Sequence, residues 1–121
     1  PLLPPNLPAW RTRAERFDEL VVEAAQDLAR HWPSVDQIQF AVEEVPPSDP
    51  APWERSVVLG RGFTAEPRAG LPARVVIYRR PVASRATDEA DLADLVRRVV
   101  VEQVALMLGR HPEEIDPGSS L

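Results

Sequence analysis

Apolar positions recur along this chain in two rhythms. Phe17, Leu20, Val21, Ala24 and Leu28 share one face at helical spacing, with Glu15, Asp18, Glu23 and Asp27 mostly off it. That spacing predicts a helix from about Arg11 to Arg30. His31-Trp32-Pro33 ends it, because proline disfavours helical backbone in the residue before it. The rhythm then shortens to two. Ile38, Phe40 and Val42 alternate with Gln39, Ala41 and Glu43, which predicts a strand from about Gln37 to Val45 with one face on a core. Pro46 and Pro47 stop it. After a loop to about Glu54, Ser56 to Leu59 reads as a short strand, followed by a sharp hairpin connection at Gly60-Arg61-Gly62. Thr64 to Pro72 reads as a loop tip. The apolar run in Ala73 to Tyr78 reads as a third strand.

The last periodic segment is the longest. Leu92, Leu95, Val96, Val99, Val100, Gln103, Leu106 and Met107 trace a face wide enough to meet a sheet and something else. Thr87 is placed to cap this helix, Asp88 and Glu89 suit the positive end of its dipole, and Gly109 suits its stop. The tail HPEEIDPGSSL then reads as a turn or a single helical turn. The expected fold is α+β in the order α-β-β-β-α, with a small sheet of about three to four strands packed against two helices. It is preceded by a Pro-rich arm at 1–10, occupies 11–116, and is followed by a short tail at 117–121.

Composition narrows the chemistry. The chain has 121 residues, enough for one core. Cysteine is absent, which removes disulfides, thiolate metal sites and thiol nucleophiles and suits a cytoplasmic setting. No apolar run reaches the roughly 20 residues of a membrane span. The net charge of −5 argues against nucleic acid as a partner. All fourteen basic residues are arginine, scattered rather than gathered into a phosphate-binding patch. The two histidines, His31 and His111, lack partners at helical spacing. Glu43 and Glu44 point to opposite faces of a strand and make no convergent acid–base dyad. Glu113 and Glu114 sit in a polar tail. From residue types alone, no catalytic constellation emerges.

A resemblance supplies one. An ERFDEL start, a strand QFAVEEVP, a VVLG–G turn, a strand ending VIYRRP and the final VVVEQVALMLGRHPEEID together resemble the small bacterial zincin-like metallopeptidases, over about Arg13 to Asp116. That resemblance implies a minimal zincin fold, with His-Glu-x-x-His on the last helix, followed by His-Phe-Gly. Histidines four apart lie about 40° apart on one helical face and can grip a single zinc ion. The glutamate between them takes a proton from the bound water. Matched on Gly109, the first histidine falls on Glu102, the glutamate on Gln103, the second histidine on Leu106, and His-Phe on Met107 and Leu108.

The family pattern thus meets a degenerate motif. The family's cofactor is zinc, but no cofactor is expected here and no catalytic residue is assigned. A rebuilt metal site would have to draw on Glu102, His111 and Glu113, or Asp116. In place of the metal, Leu106 and Met107 are expected to pack across the site. Glu102 is expected either to pair with Arg98 or to face an open groove. The functional expectation is a catalytically inactive pseudo-metallopeptidase acting as a structural module or as one that binds a peptide or protein along an edge strand, the Pro-rich arm being one candidate occupant. The alternatives are an active metallopeptidase with a non-standard zinc site and an acidic partner-binding domain of unrelated fold.

Overall fold

The computed structural model describes residues 12–47 and 58–117. The Pro-rich arm, most of the loop after the first strand and the last four residues lie outside them. Helix α1 spans Arg13–His31. Thr12 caps it in a reciprocal box: its hydroxyl accepts from the Glu15 N–H while the Glu15 carboxylate accepts from the Thr12 N–H. The apolar stripe read from the sequence is the buried one, Phe17, Leu20, Val21, Ala24 and Leu28. A 3₁₀ turn, Pro33–Gln37, leads into strand β1, Ile38–Glu43.

The expected strand Ser56 to Leu59 lies partly outside the described residues, and its described part, Val58 and Leu59, leads into the second strand rather than belonging to it. Strand β2 is Gly60–Phe63, beginning at the expected turn. Strand β3 is Ala73–Tyr78, as the apolar run predicts. A 3₁₀ turn, Pro67–Ala69, sits in the expected loop tip between them. The sheet order is β1-β3-β2, with β3 parallel to β1 and antiparallel to β2. Among the described residues, β1 and β2 are therefore the two edges.

A helix that the sequence pattern does not announce follows β3. Helix α2, Arg79–Arg85, carries Pro81 in its first turn, where a missing N–H costs nothing. Val82 anchors it in the core, and a two-pronged Arg79–Glu44 pair ties its start to the end of β1. Helix α3, Glu89–Leu108, is capped by Asp88 rather than Thr87: the Asp88 carboxylate accepts from the Asp91 N–H, and the Thr87 N–H donates to the Asp91 carboxylate. Helix α4, Pro112–Ile115, is the single turn expected of the tail. The observed order is thus α-β-β-β-α-α-α. No described helix is long and apolar enough to cross a membrane.

The core lies between α1, α3 and one face of the sheet. Val75 and Ile77 supply the sheet's part, with Phe40 and Val42 in register beside them. Helix α3 supplies Val96, Val99, Val100, Val101, Val104 and Ala105. Val101, Val104 and Ala105 lie off the expected face. They are buried because α3 meets the sheet on one side and α1 and the returning tail on the other.

Candidate functional site

The site is built where α3 passes under β2. Gly60 and Gly62 turn the same way as Ile77 and Val75, toward the helix. A Cβ at Gly62 would meet the Met107 sulfur at 2.8 Å, and one at Gly60 would meet Gln103 Cγ at 3.2 Å. Glycine is what lets the helix approach this closely. Gln103 and Met107 are half-buried against the strand backbone.

Helical geometry then separates two flanks of α3. At about 100° per residue, Gln103 and Met107 bracket the direction of β2. Rotating one way, about 100° from Gln103, reaches buried Val104. Rotating the other way reaches Leu106 at about 60° and Glu102 at about 100°. Leu106 and Glu102 therefore stand beyond the edge strand, outside the core. Leu106 is 74% exposed. This corrects the expectation that Leu106 packs across the site: it lies past the last strand, and no described element covers it. Met107 does pack, over Gly62. Glu102 is exposed and, among the described residues, makes no ion pair with Arg98 or any other cation.

The strand beside this flank has a free edge of defined polarity. The Tyr78 N–H donates to the Leu59 carbonyl at 3.0 Å. Hydrogen-bonded pairs alternate in an antiparallel ladder, so Arg61 pairs with Val76 and the peptide groups of Gly60 and Gly62 point away from β3. Among the described residues, no other segment bonds to them.

The tail folds back, but on the opposite flank. Gly109, at φ 66°, closes α3 with its N–H on the Ala105 and Leu106 carbonyls, and the Arg110 N–H reaches the Ala105 carbonyl. The Trp32 indole N–H donates to the Ile115 carbonyl at 3.2 Å, with Arg110 5.3 Å from the Trp32 ring centre. Asp116 accepts from Arg97 Nε at 2.7 Å, and Arg97 Nη2 sits 2.6 Å from Asp27 on α1. Burial works against the Arg97 charge, but bonds to Asp116 and Asp27 outweigh it and raise its pKa. The Arg97 bond also lowers the Asp27 pKa. Arg97 lies about 140° around α3 from Glu102. His111 and Glu113 are exposed, and the described residues contain no group of three His, Cys, Asp or Glu placed to hold a metal.

A separate cleft of about 730 Å³ opens between the start of α1, α2 and the start of α3, with Phe17 and Leu92 on its floor. Its Arg16 is bonded to Glu89 at 2.8 Å and its Arg79 to Glu44. Arg16 thus ties α1 to α3, and Arg79 ties α2 to the end of β1.

No curated protein matches the chain. A family model described as zincin-like metallopeptidase matches residues 35–119, more than two thirds of the sequence. The match covers the three strands, the helix beneath the edge strand and the returning tail, so that the chain belongs to the zincin-like metallopeptidase family.

Proposed function

We propose that this domain holds an extended peptide along the free edge of β2 and does not hydrolyse it. The family's zinc chemistry needs about three protein donors and a base. The residues beside the edge strand do not fit that need. Glu102 offers one carboxylate. Leu106 has no lone pair. The Gln103 amide cannot take a proton as a carboxylate does. These three positions therefore supply neither the ligand set nor the base that zinc-dependent hydrolysis requires.

What these residues suit is a binding groove. The outward peptide groups of Gly60 and Gly62 provide main-chain donors and acceptors for an added strand. The exposed Leu106 provides apolar surface under the place such a strand would occupy. Leu106 is the observation that carries the reading: one position both denies the metal a ligand and offers a hydrophobic contact.

Elemental analysis of the full chain purified without added metal, combined with a peptidase assay on unstructured substrates, tests it. The expected result is sub-stoichiometric zinc and no cleavage, whether or not chelator is present. Stoichiometric zinc with chelator-sensitive cleavage would overturn the proposal in favour of an active enzyme with a non-standard site.

A further inference from the structure

Met107 is the only sulfur-bearing residue in this sequence, and it lies beneath the edge strand. We propose that Met107 is an oxidisable site, and that its conversion to the sulfoxide by a hydroperoxide loosens β2 from α3.

Strand β2 is four residues long and brings no side chain to the helix face at Gly60 or Gly62. Met107 fills that space instead. A Cβ at Gly62 would meet its sulfur at 2.8 Å and its Cγ at 3.5 Å. The thioether therefore packs directly on the strand backbone. Met107 is half-buried rather than enclosed, so an oxidant in solvent can reach the side chain. Access for the oxidant and contact with the strand meet in one residue.

In the reaction, a sulfur lone pair attacks the terminal oxygen of the hydroperoxide. The S–O bond forms as the O–O bond breaks. The proton of the transferred hydroxyl passes to the departing oxygen, which leaves as water or an alcohol. Sulfur gives up two electrons and the peroxide takes them. The product carries a strong dipole where a soft apolar group stood. The peptide groups of Gly60 and Gly62 point sideways, away from β3, rather than down at the sulfur. The polar atom nearest the contact is Gln103 Oε1, 3.7 Å from the same Cβ position, and it is an acceptor as the sulfoxide oxygen is. The new oxygen finds its hydrogen bonds in solvent, and the side chain reaches them by leaving Gly62. β2 then keeps its ladder to β3 but loses its seat on the helix. Loosening of β2 follows from this packing and does not depend on what the edge holds.

The test treats the full chain with hydrogen peroxide, folded or in urea, and maps the modification by peptide mass. Amide hydrogen exchange is then followed at Arg61 and Val76, the hydrogen-bonded pair between β2 and β3, with Leu20 and Val21 on α1 as the reference. Met107 should gain one oxygen in the folded protein. Exchange at Arg61 and Val76 should then rise about tenfold while the α1 amides stay unchanged. Met107→Leu keeps the size without the sulfur and should be indifferent to peroxide. Met107→Gln should loosen β2 with no peroxide present. A folded protein that resists peroxide doses oxidising Met107 fully in urea would overturn the site. A sulfoxide formed without faster exchange at Arg61 and Val76 would overturn its coupling to the strand. Equal acceleration on α1, or the same response in Met107→Leu, would overturn a local effect at Met107.

Discussion

Two positions separated by one residue on α3 should respond to truncation in opposite ways. Val104 is fully buried, whereas Leu106 is 74% exposed. Val104→Ala removes two methyl groups from a packed interior, worth about 1.6 kcal/mol in transfer alone. The cavity left behind raises this to about 2.5 kcal/mol. For a domain of this size that is roughly a 10 °C fall in melting temperature. Leu106→Ala deletes a larger side chain from a site where only about a quarter of the residue is covered. The lost burial is about 0.5 kcal/mol, and the better helix propensity of alanine returns about 0.2. The net change should stay within about 0.5 kcal/mol. Urea unfolding followed by far-ultraviolet circular dichroism measures both. Because the reasoning places Leu106 outside the core, a loss of about 2 kcal/mol or more at Leu106, on the scale of a core Leu→Ala change, would refute it.

Further expectations concern the return of the tail and the closure of α3. The Arg97 bond depresses the Asp27 carboxyl below its ordinary value of 3.8, so the folded form holds its charge to lower pH than the unfolded chain does. Stability from this pair is therefore complete above the unfolded value and is lost as pH falls through the folded one. Glu44, lowered by its Arg79 bond, acts with the same sign. Urea midpoints at pH 6 and pH 3 should differ less in Arg97→Met than in the parent. Trp32→Phe keeps an aromatic ring under Arg110 but removes the donor to Ile115, and should cost about 1 kcal/mol with faster hydrogen exchange at Ile115 and Asp116. Gly109→Ala places a Cβ at a left-handed φ and should cost about 1–2 kcal/mol by thermal melting.

Much of the scaffold is legible because period and burial agree. Ile38, Phe40 and Val42 alternate in sequence and face the helices in space. Ala73 to Tyr78 is a short apolar run and forms the central strand, buried on both faces at Val76 and Ile77. β2 is not legible because its sequence, Gly-Arg-Gly-Phe, has little strand propensity of its own. It pairs because β3 offers an edge, and it keeps glycines because α3 passes close beneath. α2 escapes notice because Pro81 reads as a breaker, whereas its first-turn position leaves no hydrogen bond to lose. Asp88 outcompetes Thr87 as cap because its carboxylate reaches the Asp91 N–H while Thr87 leans on the Asp91 side chain. Hydrophobicity alone assigns Leu106 to the buried face. Only the position of β2 along the helix circumference shows that the face ends before it.

That circumference also explains how the site's chemistry is separated from folding. The residues that hold α3 in place, Val100, Val104 and Ala105, with Arg97 bridging to α1 and the tail, occupy the flank turned toward the rest of the molecule. Glu102 and Leu106 occupy the flank beyond the last strand. A residue there forfeits almost no burial when exchanged, so donors and hydrocarbon are nearly equivalent for stability and very different for ligands. Gln103 and Met107 lie between these extremes: they touch the glycine backbone of β2 and fix how closely the helix and the strand edge approach. The approach of strand and helix thus depends on Gly60, Gly62, Gln103 and Met107, whereas the chemistry presented beyond the edge depends on Glu102 and Leu106. A scaffold divided in this way lets the residues at Glu102 and Leu106 change with little effect on how α3 is held.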